Sequence, residues 1–176
     1  AGPASVSDED WPAVKQRLES NASLAKGRAL LQEALDQPAG EKRKHLLKDA
    51  EGALLAAQRL NFEDREIAYA LGLAQLSSGK ANEAAANLAA ACQGGGELGV
   101  KAEDALRALY KLLHPNSSPS FETFRQQEQD RWAEETRDRA KAAGDAAIHS
   151  TQSHAAYFGS ESCRGCHAEI YHEWSQ

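Results

Sequence analysis

Cys163-Arg164-Gly165-Cys166-His167 places two thiols and an imidazole within five residues, in a 176-residue chain whose only other cysteine is Cys92. On a helix, positions i, i+3 and i+4 share a face, so both sulfurs point one way with the imidazole beside them. The C-x-x-C-H spacing reads as a c-type haem attachment, in which two thiols reach the two vinyl groups of one porphyrin and His167 stands beneath the iron. Gly165 keeps the back of that turn free of bulk, and Ser160 or Ser162 is placed to cap the helix start. Ile170 and Trp174, one turn apart, can cover the ring.

Three other chemistries use the same residues. A thioredoxin-type C-x-x-C needs a βαβ setting, and no strand pattern surrounds it. A structural zinc site would take Cys163 and Cys166 with two further ligands such as His167 or His172, although no second C-x-x-C exists. A plain Cys163–Cys166 disulfide is the third. If haem is bound, the second axial ligand is not a methionine of this chain, which has none. His154, nine residues before Cys163, is the candidate second ligand, and His149 lies further back near a helix end. His172 is about 140° round the helix from His167, so it would serve a neighbouring haem rather than the same iron. His45 and His114 have ordinary surface explanations, and Cys92 reads as a small buried filler rather than a reactive thiol.

The elements that must carry this segment are helices. Alanine, leucine, glutamate, lysine, glutamine and arginine dominate while valine and isoleucine are scarce, which favours helix over sheet. The apolar rhythm Trp11, Val14, Leu18, Leu24, Leu30, Leu31, Leu35 predicts a first helix, ended by Pro38-Ala39-Gly40. A second runs from Glu41 to Leu60 with Leu46, Leu47, Ala50, Leu54 and Ala57 on one face. After a turn at Asn61–Asp64, a helical hairpin follows from Arg65 with its turn at Gly79. A fifth helix is expected over Val100–His114. After the breaker HPNSSPS a long helix runs from Phe121 to Ile148, capped by Ser120, with Phe121, Phe124, Trp132, Ala133, Ala140 and Ala147 as its narrow apolar stripe. A net charge of −6 leaves no basic face for nucleic acid or an anionic membrane, and no apolar run is long enough to cross a bilayer.

Within the hairpin, Gly72 and Ala84 are expected where the two backbones approach, with Leu71 and Leu88 filling the seam. Ala84, Leu88 and Ala91 sit 34 residues after Ala50, Leu54 and Ala57, the tetratricopeptide period. The stretch resembles a tetratricopeptide repeat, well over residues 65–93 and by half over 41–60. The family's proline after the second helix is replaced by Gln93-Gly94-Gly95-Gly96. The resemblance implies a concave side carrying Glu66, Tyr69, Leu73 and Leu76 that meets a partner surface, or that serves only as scaffold. These are not the lysines and asparagines that hold a terminal carboxylate in one subfamily.

The segment FGSESCRGCHAEIYHEW resembles the first haem segment of multihaem c-type cytochromes, where Gly-Ser-x-x-Cys-x-x-Cys-His precedes an aromatic-rich helix and a tryptophan. That family continues with further ligands, which implies a longer protein than ends at Gln176. The expectation is therefore an all-α chain: an irregular segment at 1–10, tetratricopeptide-like antiparallel hairpins and a long helix over 11–148, and the start of a haem-binding segment over 149–176. Its function would be electron transfer by covalent haem c held by Cys163, Cys166 and His167, with redox proteins as partners and no bond-making chemistry. The absence of an initiator methionine and the small residues AGPAS at the start point to processing and export, to a bacterial periplasm or cell surface. The alternative is a helical-repeat interaction module whose cysteine segment is a zinc or disulfide clip.

Overall fold

The computed structural model describes residue 7 and residues 10–150, with side chains placed through Arg139 and at Lys141. Six helices fill that range: α1 (Trp11–Asp36), α2 (Glu41–Leu60), α3 (Arg65–Ser77), α4 (Ala81–Ala91), α5 (Gly96–Leu113) and α6 (Phe121–Ser150). No strand occurs among the described residues, so the all-α expectation holds there. The chain divides into two compact units, residues 1–136 and 137–176, and the packing below belongs to the first. No helix among the described residues is long and apolar enough to cross a membrane.

Each helix packs on the next: α1 on α2, α2 on α3, α3 on α4 and α4 on α5. In addition α1 touches α3, and α3 touches α5. The second set of contacts makes α1, α3 and α5 neighbours along one surface. One core cluster gathers Leu24, Leu31, Leu47, Leu54, Ile67 and Leu71 from α1 to α3. Another gathers Leu88, Leu106, Leu109, Tyr110, Phe121 and Phe124 from α4 to α6.

Small residues decide how closely the hairpins close. A methyl group on Gly72 would stand 2.8 Å from Leu88 Cγ and 3.2 Å from the Leu88 amide nitrogen. The residue lying over Gly72 is thus Leu88, not Ala84, which is fully buried nearby. The α1–α2 hairpin repeats the arrangement, with Gly27 under Leu54 at 2.5 Å and 3.2 Å from the Ala50 carbonyl oxygen. The buried face of α1 is accordingly Ser20, Leu24, Gly27, Leu31 and Ala34. This corrects the stripe drawn from large apolar residues: Leu18 and Leu35 are exposed, because the close approach of α2 selects the face that carries Ser20, Gly27 and Ala34.

Helix α5 begins at Gly96, four residues before the expected Val100. Gly94, Gly95 and Gly96 all have positive φ, a region glycine enters without a Cβ penalty. The chain therefore reverses within three residues. The Arg65 guanidinium braces the turn, donating to the Gly95 carbonyl at 2.9 Å and to that of Ala91. Ser120 caps α6 as expected, its Oγ accepting from the Thr123 amide at 3.2 Å. On α6, Phe121 and Phe124 are buried and Trp132 packs against a cluster of alanines, Ala68, Ala90, Ala91 and Ala102, from α3, α4 and α5. Ala133 is exposed, since it sits about 100° round the helix from Trp132.

Candidate functional site

The haem-attachment residues Cys163, Cys166 and His167, the candidate ligand His154, and His172 lie outside the described residues. His149 falls within α6. His45 is exposed. The His114 ring sits 5.2 Å from Tyr110 and 5.1 Å from Phe124, with Nδ1 3.1 Å from the Ser118 carbonyl oxygen; it closes the α5–α6 corner.

Cys92 ends α4. Its Sγ lies 3.2 Å from the Leu88 carbonyl oxygen, to which it donates. Burial pushes its thiol up to about 11; Glu103 adds to the rise while Arg125 and Arg65 oppose it. A thiol so shifted is a poor nucleophile at neutral pH, as its reading as a filler requires.

Along the surface shared by α1, α3 and α5 runs a groove of about 470 Å³. Each helix supplies one stripe at helical spacing: Arg28, Leu31, Gln32 and Leu35 from α1; Glu66, Tyr69, Ala70 and Leu73 from α3; Glu97, Leu98 and Lys101 from α5. Residues three, four and seven apart share a face, so three parallel helices present a continuous apolar floor with polar edges. Glu66, Tyr69 and Leu73 were expected together on such a surface. Leu76 is not in the groove; it packs toward the core between α4 and α6.

Two ion pairs edge the floor. Arg28 Nη1 donates to Glu66 Oε2 at 3.2 Å, tying α1 to α3, and Lys101 Nζ donates to Glu97 Oε1 at 2.6 Å within α5. The hydrogen bond from Lys101 lowers the Glu97 carboxyl below its ordinary value and raises Lys101 in return. Both pairs are solvent-exposed, so they shape the rim more than they stabilise the fold. Among the described residues no three His, Cys, Asp or Glu side chains stand close enough to hold a metal ion.

The α1 and α5 stripes escaped sequence reading. Gly27 was the available signal: paired with Gly72 it sets the phase of α1 and so turns Arg28, Leu31 and Leu35 toward the surface that carries Glu66 and Tyr69.

No family model matches this chain, and no curated protein or solved structure matches it either.

Proposed function

We propose that this chain is an electron-transfer c-type cytochrome whose helical hairpins hold a covalent haem segment next to a redox partner. The observation that carries the reading is the Cys163-Arg164-Gly165-Cys166-His167 spacing. Its donor set suits the group: two thiols able to form thioethers and an imidazole able to ligate iron. When bound, the haem supplies a one-electron couple. Cys163 and Cys166 would fix its position, His167 would ligate, and His154 is the candidate for the opposite side. Hydrogen bonding to His167 and exposure around the site would tune the potential.

The hairpins are proposed to be of tetratricopeptide type. Support comes from the neighbouring α1, α3 and α5 and from the repeated glycine-under-leucine contact at Gly27 and Gly72. In this reading the protein is exported to a bacterial periplasm or cell surface, and its partners are redox proteins.

The groove favours a second reading, a helical-repeat interaction module whose cysteine segment is a zinc or disulfide clip. Intact mass of protein matured with a haem-attachment apparatus separates the two. One haem added in covalent linkage, a sharp α band on reduction, and loss of both in Cys163→Ala and Cys166→Ala support the cytochrome. A colourless product with free sulfurs, a disulfide or another metal overturns it.

A further inference from the structure

A second cleft, about 630 Å³, opens between α2 and the turn that joins α3 to α4, and it shares no residue with the groove. Lys44, Lys48 and Lys80 line it together with Ser77 and the buried Leu47. The one carboxylate in its wall, Glu51, is already engaged: Lys80 Nζ donates to both of its oxygens, at 2.8 and 2.7 Å. An ammonium has three donors, so Lys80 is held in place by Glu51 with one donor to spare. Lys44 spends one donor on the exposed Glu41. Lys48 and the Ser77 hydroxyl make no hydrogen bond or ion pair among the described residues. The cleft therefore holds more donors than acceptors, within a protein whose net charge is −6.

We infer that this cleft docks an extended acidic segment of a partner protein, whose carboxylates take the spare ammonium and hydroxyl donors. Spacing favours a chain over a single small anion. Lys44 and Lys48 are one turn apart on α2, a rise of about 6 Å. Same-side carboxylates at alternate positions of an extended peptide stand about 6.6 Å apart. A run of alternating glutamates thus meets the two lysines in register. Lysines recognise carboxylates as point charges rather than as forks, which suits a partner that arrives along a helix. With a net charge of −6 over the chain, attraction of such a partner depends on local clusters of cations such as this one. The inference stands whether or not haem is attached.

The test is fluorescence anisotropy of a labelled octapeptide of alternating glutamate and alanine, titrated with the full chain. Binding is expected to be of weak, charge-dominated strength. It should fade as ionic strength rises from about 0.01 M to 0.15 M, where the screening length falls from about 30 Å to about 8 Å. Lys48→Gln and Lys44→Gln should each weaken it about two- to fivefold, the loss of one exposed charge pair. Lys101→Gln, in the groove, should leave it unchanged. Circular dichroism would verify that the variants fold. Equal binding of the glutamine-for-glutamate peptide, or indifference to Lys48→Gln, would overturn the inference. So would displacement of the peptide by inorganic phosphate at equal charge concentration, since that marks a small-anion site.

Discussion

Leu88 occupies the space in which Gly72 would carry a side chain. With a β-carbon there, Leu88 Cγ would be 2.8 Å away and its amide nitrogen 3.2 Å, and Leu54 crowds Gly27 in the same manner. Gly72→Ala gains about 1 kcal/mol of helix propensity but meets an overpacking cost of about 1 to 3 kcal/mol. We expect a net loss of up to about 2 kcal/mol by urea denaturation, and a similar loss for Gly27→Ala. Gly52, in α2, has nothing within 4 Å. There the same substitution should stabilise by about 0.5 to 1 kcal/mol. If all three changes stabilise, the hairpins are not closed by these glycines.

The same pair explains what the sequence shows and hides. Helix α2 was legible to both ends because Leu47, Ala50, Leu54 and Ala57 form a strong stripe between the breakers Pro38-Ala39-Gly40 and Asn61. Ala84, Leu88 and Ala91 follow at the 34-residue period, and all are fully buried. Gly27 and Gly72, however, are 45 positions apart, because the α1–α2 hairpin is longer at its loop end. The surplus of 11 residues is about three helical turns, so the phase survives while the repeat count does not. Small residues such as Ser20 and Ala34 carry little hydropathy, so the α1 face, and with it half of the groove, stayed hidden. The C-x-x-C-H spacing needs only five contiguous residues to be recognised, but it lies outside the described residues.

Asn87 links three helices through buried amides. It accepts from Gln58 Nε2 on α2 at 3.0 Å and donates through Nδ2 to Gln75 Oε1 on α3 at 2.9 Å. Removing one partner strands a buried polar atom, whereas removing both can be nearly neutral. Asn87→Leu, close to the original in size, should cost about 2 kcal/mol. The double variant Asn87→Leu/Gln75→Leu should cost less than the sum of the singles, by about 1 kcal/mol. Strict additivity would mean that volume, not amide pairing, governs the site.

The raised Cys92 thiol gives stability a definite pH dependence. In the unfolded chain a cysteine ionises at its ordinary value of 9.0, whereas in the fold burial holds the proton until about 11. Below the lower value both states are protonated and the group contributes nothing. Between the two, unfolding releases a proton, so stability falls as pH rises, by at most about 1.4 kcal/mol per pH unit. Cys92→Ala should flatten that part of the profile relative to the parent protein, measured by denaturant midpoints from pH 8 to 10.5. Parallel profiles would place the thiol in water.

Cys92 also serves as an internal standard for the fate of Cys163 and Cys166. At pH 8 its thiolate population is about a hundredfold below that of a cysteine at the ordinary value of 9.0. The greater intrinsic nucleophilicity of a high-pKa thiolate recovers part of this. Alkylation of folded protein at Cys92 should therefore run about tenfold slower than in urea. After unfolding, haem attached through both sulfurs leaves one thiol to react, with or without a reducing agent. A Cys163–Cys166 disulfide also leaves one, but reduction raises the count to three. A zinc clip gives three once a chelator is added. A matured, coloured protein that yields three thiols without reductant would show that no thioether formed, and the electron-carrier reading would fail on that count alone.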